Sequence, residues 1–258
     1  MSLQLVIPMS GLGSRFVSHG YNVLKPLIEV HQHPMIEWVL RMYPGINDPL
    51  FICRKDHLET TEMQKILKTV KPNGKIVGIS GEKLGPVGAL ISAFSSIHDD
   101  TPVLVTYCDY YMVWDFLLFL QFIEEHDYDG IIPCYTGFHP HLIPKKNLYA
   151  SCRVNSFNDL LEIREKFSFE PDKSKALHSP GVYYFKSGKL LKHYCRKLVE
   201  NGDSLDGEYY VSLVYNRMVA DGLRIGVPSN VEQFCQWGTP KDLAEYLYWT
   251  GKIIGKTV

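Results

Sequence analysis

The sequence predicts an α/β fold, with a mixed and mainly parallel sheet flanked by helices. Three observations carry this. Short apolar runs alternate with longer amphipathic runs through the first half of the chain. The first apolar run is followed at once by a glycine-rich loop. Another, at 102–109, is strongly apolar and ends on a lone aspartate, Asp109. Strand–helix alternation of this kind buries a parallel sheet between two helical layers.

In chain order, 3–9 is a short apolar strand, 34–43 has the spacing of a helix, and 49–54 reads as a buried strand. Residues 56–70 repeat apolar positions at helical intervals, 75–79 is strand-like and 87–97 helical. A strand over 102–109 and a helix over 114–126 complete the alternation. Beyond about Gly130 the pattern changes. Runs at 130–136, 149–155, 160–167 and 181–185 are strand-like with few helices between them, so mixed or antiparallel strands are expected beside the first sheet. Helices over 187–202 and 208–222, a strand over 224–229 and a helix over 240–251 close the chain. No linker-like or repeated segment interrupts it. The expectation is one domain over 1–258, with a first half (about 1–130) and a second half (about 131–258) sharing one site.

Composition narrows the function. The 258 residues carry a formal net charge of −1, with 45% hydrophobic residues. That is ordinary globular composition, with no basic surplus for nucleic acid or anionic membrane. The first apolar run is too short for a signal peptide or a spanning helix, and no later run is long enough to span. A cytoplasmic protein is expected. The six cysteines are scattered without a C-x-x-C pair, as suits a reducing compartment.

Several segments can carry chemistry. In PMSGLGSRF, Gly11 and Gly13 let backbone amides approach phosphates, and Arg15 adds a forked cation. A plain turn explains the same glycines. Phe16 stands where a dinucleotide loop needs its third glycine, and no G-K-[ST] is present. About ten residues later, Lys25 in KPLI can fold back toward the same phosphates, although most lysines are merely solvated. Asp109 sits at the carboxyl end of a strand, where ligands bind in open α/β sheets and where a hard carboxylate suits Mg²⁺. A cap or turn aspartate is the plainer alternative. His139 and His141 lack a third ligand at a recognisable spacing, so a loop lining a pocket, or a solvated turn, is expected there.

The conjunction of GLGSRF with KPLI, PMI and WVL resembles the sugar-phosphate nucleotidylyltransferases, and within them the branch serving capsule biosynthesis. The resemblance runs through nearly the whole chain. It implies a Rossmann-like, glycosyltransferase-A-like α/β/α sandwich and Mg²⁺-dependent transfer of a nucleoside monophosphate from an NTP to a phosphorylated acceptor, most simply a sugar 1-phosphate. The product would feed nucleotide-sugar and capsule or surface polysaccharide synthesis. It further implies that Gly11, Gly13 and Ser14 hold phosphates with Arg15 and Lys25, and that Glu82, Gly85 and Gly88 of GEKLGPVGAL lie near the base. Asp109 would hold the metal. Glu165 and Lys166 match an E-K-P stretch that grips acceptor hydroxyls and phosphate, with Phe167 in place of the proline. Tyr149, Gly181 and Glu208 match further acceptor positions. The resemblance leaves a homo-oligomer open.

One departure stands out. Relatives carry a second metal-binding aspartate just before a Gly-Thr; here Gln236 and Trp237 precede Gly238. A neutral amide is a poorer magnesium ligand than a carboxylate. Three other readings stay open. A dinucleotide-dependent oxidoreductase is disfavoured by the missing third glycine. Gln236 keeps open a catalytically silent nucleotide-sensing regulator. The divergent segment from Phe138 to Lys146 lies where the resemblance places the acceptor, which keeps open a transferase acting on phosphocholine or a polyol phosphate.

Overall fold

A computed structural model describes residues 2–80 and 84–253; Glu82 lies outside the described residues. The chain begins with β1 (Gln4–Met9), a helical turn α1 (Ser14–Val17) and a small hairpin of β2 (Glu29–Val30) and β3 (His33–Pro34). Then come α2 (Met35–Arg41), β4 (Leu50–Arg54), α3 (Lys55–Thr60), α4 (Met63–Val70), β5 (Lys75–Ile79), α5 (Gly85–Ser92) and β6 (Val103–Thr106). The middle holds β7 (Tyr110–Trp114), α6 (Phe116–Glu125), β8 (Gly130–Ile131), β9 (Ser151–Val154), β10 (Leu160–Arg164), β11 (Leu177–His178) and β12 (Val182–Phe185). The chain closes with α7 (Gly188–Glu200), α8 (Val211–Ala220), β13 (Ile225–Gly226), β14 (Val231–Gln236) and α9 (Pro240–Ile253).

The main sheet has seven strands in the order β13-β8-β12-β6-β1-β4-β5. All neighbours are parallel except β12, which runs against both β6 and β8. The mainly parallel α/β class expected from the alternation is therefore what the chain adopts. Strand side chains alternate between two cores. Val6, Leu50, Ile52, Val103 and Val105 enter one, with α5, α7 and α8. Leu5, Ile7, Phe51, Cys53 and Leu104 enter the other, with α2, α4 and α6. This period of two is why continuous apolar runs suit strands covered on both faces.

The connections from β1 to β4 to β5 move outward on one side, and the chain then returns to lay β6 on the other side of β1. That reversal opens a crevice at the carboxyl ends of β1 and β6, the usual ligand position in such sheets. Met9 and Asp109 flank it.

Local details depart from the sequence expectations. The helix expected over 56–70 is broken at Thr61, whose hydroxyl donates to the His57 carbonyl at 2.6 Å and accepts from the Met63 amide at 3.2 Å. Threonine's local hydrogen bonding competes with helix continuation. The strand at 160–167 ends at Arg164, and Lys166 turns the chain with φ 53°. An unexpected ribbon joins β14 to β7, with Gln236 opposite Tyr110. A third core then forms from Phe16, Ile28, Val30, Met35, Trp237 and Leu243, locking the glycine-loop region onto α9.

Candidate active site

The site grows from the loop after β1. Gly13 takes φ 63°, ψ 24°, a left-handed conformation that most residues avoid. Its carbonyl accepts the Phe16 amide at 2.8 Å, and α1 begins immediately. This single helical turn ends at Val17, and the chain turns at Gly20 with φ 84°. Phe16 is buried in the third core and anchors the loop, leaving Gly11, Ser14 and Arg15 on a cavity wall.

Lys25 folds back as its spacing suggested. Its ammonium donates to Asp109 Oδ2 at 2.5 Å and to the Gly238 carbonyl at 2.9 Å. Three segments far apart in sequence thus meet at one cation. The β14–β7 ribbon delivers the third of them, since the Trp237 amide donates to the Asp109 carbonyl at 3.2 Å. Gly238 leaves room here for the Gln236 side chain. A Cβ would lie 2.5 Å from the Gln236 carboxamide and 3.2 Å from Asp109 Oδ2.

The ambiguity at 236–237 is settled by direction. Trp237 is fully buried in the third core, stacked on Tyr111 and edge-on to Tyr246. Gln236 is the residue that lines the site. Among the described residues no group of three His, Cys, Asp or Glu side chains is arranged to hold a metal. Asp109, whose Oδ2 accepts from Lys25, is the carboxylate that would hold Mg²⁺, with substrate phosphates and water supplying the other ligands, as Mg²⁺ commonly takes one or two carboxylates.

Two cavities meet at this point. The larger, about 480 Å³, is lined by Gly11, Gly13, Ser14, Arg15, Gly85 and Gly88, and also by Arg54 at the end of β4. The smaller, about 230 Å³, is lined by Tyr149, Glu165, Lys166, Gly181, Tyr183 and Gln236. Arg15, Lys25, Tyr107, Asp109, Tyr210 and Gly238 line both. Among the described residues, those expected at nucleotide and acceptor line two adjoining cavities, with one exception. Glu208 lines the larger cavity, not the smaller. The reason is a long-range backbone contact: the Tyr209 amide donates to the Leu84 carbonyl and the Val87 amide to the Tyr209 carbonyl, both at 3.1 Å, so 208–209 is laced to the start of α5. Gly85, at φ 73°, allows this approach; its Cβ would sit 3.0 Å from the Tyr209 amide nitrogen.

In the smaller cavity, Glu165 follows the end of β10 and accepts a hydrogen bond from Ser212 of α8. Burial pushes its carboxyl up to about 7, partly offset by that hydroxyl and by Lys166. Lys166 reaches Asp206 at 2.5 Å and lies 5.8 Å from the Tyr210 ring centre. Gly181 has φ 98°, and a Cβ there would lie 2.7 Å from the Tyr107 ring. Burial raises the Tyr149 phenol, whose ring is edge-on to His141 at 4.6 Å. The histidines themselves line neither cavity. His139 is buried and accepts the Phe234 amide at 3.2 Å, and His141 bonds to the Tyr135 hydroxyl at 2.8 Å. Burial depresses His141 to about 3. They are packing groups, neither a solvated turn nor a pocket-lining loop.

Tyr107, Tyr210 and Arg54 were missed by sequence reasoning. Tyrosine runs near strands read as core, and only their tertiary position puts Tyr107 and Tyr210 at the seam.

Residues 5–166 match the MobA-like NTP transferase domain. The chain belongs to this family. It is accordingly a nucleotidyltransferase, and the match ends at Lys166. No curated protein matches the transferase by sequence. Its fold is shared with a nucleoside-diphosphate-sugar pyrophosphorylase from Vibrio cholerae RC9, at TM-score 0.73 and 19% identity, covering 95% of this chain and 100% of that one. An inositol-1-phosphate CTP transferase from T. maritima superposes at TM-score 0.72 and 14% identity, over 100% of this chain and 98% of that one. A candidate glucose-1-phosphate thymidylyltransferase from Bacillus anthracis, solved with sucrose, gives 0.74 and 17% over 96% and 95%. At these identities the likeness is one of fold. No helix among the described residues is long and apolar enough to cross a membrane.

Proposed function

We propose that this transferase moves a nucleoside monophosphate from a magnesium-bound NTP to the phosphate of a small acceptor, a sugar or polyol phosphate, and releases pyrophosphate. The supporting observation is the seam: Arg15, Lys25, Asp109 and Gly238 line both cavities, so one group can reach the α-phosphorus while the other cavity holds the attacking phosphate. The NTP occupies the larger cavity, with Gly11, Gly13 and Ser14 against its phosphates and Gly85 and Gly88 toward the base. Tyr149, Glu165, Lys166 and Gly181 line the acceptor's cavity.

An acceptor phosphate oxygen attacks the α-phosphorus in line. The bond to the β-phosphate oxygen breaks, and pyrophosphate departs with the electron pair. A phosphate monoester is already a competent nucleophile near neutrality, so catalysis is positioning and charge neutralisation. Lys25 neutralises charge at the α-phosphate, Arg15 does so at the leaving pyrophosphate, and Lys166 orients the attacking phosphate. Asp109 would hold Mg²⁺, which when bound supplies further charge neutralisation on phosphate oxygens. The likeness of GLGSRF and KPLI to the capsule branch supports a cytoplasmic place in nucleotide-sugar supply for a surface polysaccharide. Pyrophosphate release, screened with four NTPs against phosphorylated acceptors with and without Mg²⁺, tests the reading. Release that depends on both substrates and on Mg²⁺ supports it, and NTP hydrolysis indifferent to acceptor contradicts it.

A further inference from the structure

Arg54 lines the larger cavity and has no part in the transfer described above. It ends β4, where it shares a face with Leu50 and Ile52, because side chains two apart along a strand point the same way. Leu50 and Ile52 pack with α5, as do Val77 and Ile79 at the end of β5. Arg54 is therefore on the α5 side of the sheet, where Ile79, Leu84, Pro86, Ala89 and Ser92 also line the cavity. β4 lies two strands from β6, about 10 Å across the sheet. The guanidinium thus belongs to the end of the cavity away from the seam of Arg15, Lys25 and Asp109.

Its orientation is set by Asp56. Nε donates to Asp56 Oδ1 at 2.9 Å and Nη2 to Asp56 Oδ2 at 2.7 Å, a two-pronged grip that leaves Nη1 without a partner among the described residues. The Arg54 side chain is 28% exposed and Asp56 55%, so the carboxylate holds the fork from the more open side. An ordinary surface ion pair accounts for that grip. It does not account for a guanidinium on a cavity wall that is mostly apolar. The Ser92 hydroxyl on the same wall already donates to the Gly88 carbonyl at 3.0 Å. Glu208 accepts the Tyr210 hydroxyl at 2.9 Å and so stands toward the seam, where Tyr210 lines both cavities.

Arginine only donates hydrogen bonds. Guanine, cytosine and uracil each offer a carbonyl oxygen to such a donor, whereas adenine has none and sets an amino donor between its N1 and N7 acceptors. We propose that Arg54 is a specificity-determining residue for the nucleotide, donating from Nη1 to a carbonyl oxygen of the base, with Asp56 as the positioning residue that holds it. The proposal rests on the nucleotidyl-transfer reading and deepens it at the base end of the same cavity. Arg54 acts on binding alone and takes no part in the covalent step.

The test separates base from phosphate and needs no acceptor. Calorimetry in Mg²⁺ measures binding of ATP, GTP, CTP, UTP and inorganic tripolyphosphate, which has no base. The wild-type protein should bind ATP about tenfold or more weaker than the best of the other three, the size expected for one charge-assisted contact. Arg54→Met should weaken that best nucleotide to near the level of ATP and leave tripolyphosphate unchanged, which also shows that the variant is folded. Arg54→Lys should not restore the margin, because a point ammonium lacks the fork that Asp56 grips. Asp56→Asn should narrow the margin over ATP without altering tripolyphosphate binding. Arg15→Ala, by contrast, should weaken tripolyphosphate and all four nucleotides alike. ATP bound as well as the others by the wild-type protein overturns the proposal and leaves nucleotidyl transfer standing. So does an Arg54→Met variant that keeps the margin, or one that loses tripolyphosphate together with every NTP, since Arg54 would then be a phosphate contact. Failure of the wild-type protein to bind any NTP overturns the transfer reading and this proposal together.

Discussion

Replacing Lys25 by methionine removes the cation that ties three segments together, and its effect can be worked from the geometry. The ammonium makes two hydrogen bonds, to Asp109 Oδ2 at 2.5 Å and to the Gly238 carbonyl at 2.9 Å. The Lys25 and Asp109 side chains are 20% and 26% exposed. Breaking charge-assisted bonds and stranding a partner costs about 1.5–3 kcal/mol each in a dry site. Water can reach both groups here, so a total near 2 kcal/mol is the reasonable expectation. For a chain of this size each kcal/mol moves the midpoint by about 2–4 °C, giving a fall of about 4–8 °C. Lys25 is therefore structural as well as chemical, and a variant at this position should lose both turnover and stability. Thermal unfolding of Lys25→Met, Asp109→Asn and the double variant closes a cycle, whose coupling should reach about 1 kcal/mol or more. A melting point within about 1 °C of wild type, with no coupling, would refute the claim that this cation fastens the Gly238 segment to β6.

Other outcomes follow from the same geometry. Asp109→Asn should lose most turnover and its Mg²⁺ dependence while circular dichroism stays native; near wild-type activity in saturating Mg²⁺ contradicts the metal role. Lys166→Ala should lower kcat/KM for the acceptor by about tenfold or more and leave NTP affinity intact, as steady-state kinetics with each substrate varied in turn will decide. Glu165 has its folded carboxyl raised from an ordinary 4.5 to about 7, so the folded state holds the proton more tightly. Its contribution to stability therefore falls as pH rises from about 4.5 toward 7, and urea midpoints across that window should fall less in Glu165→Gln than in wild type. Gly181→Ala combines φ 98° with a Cβ placed 2.7 Å from the Tyr107 ring. It should destabilise by about 1–3 kcal/mol and weaken acceptor use, and an unchanged melting point argues against that backbone requirement.

Local patterns made most of the main sheet legible. The apolar runs holding β1, β4 and β6 are continuous because both faces are covered, and helical spacing located α2, α6 and α7. Gly11, Gly13, Arg15, Lys25 and Asp109 could be grouped because the loop after β1 and the end of β6 are adjacent in any sheet of this topology. What stayed hidden depends on distant pairing. β7 and β14 are joined across more than a hundred residues, so the position of Gln236 beside Asp109 and the burial of Trp237 had no local signature. The alternation of Tyr110, Met112 and Trp114 was the one available hint. That Glu208 lines the larger cavity was hidden for the same reason, because its neighbour is pinned to Leu84 by backbone bonds. The buried His139 and half-buried His141 have polar side chains that pack on Tyr135 and Phe234, which composition cannot reveal.

Nucleotidyl transfer across the seam is tested most directly by following the product. The protein is incubated with Mg²⁺, an α-labelled NTP and a phosphorylated acceptor, and the mixture is resolved by anion exchange and phosphorus NMR. The account predicts that the label moves into a compound with a P–O–P diphosphate bridge joining nucleoside and acceptor, formed one for one with pyrophosphate and lost in Asp109→Asn. Label recovered only as NMP or NDP, at a rate independent of acceptor, would contradict it.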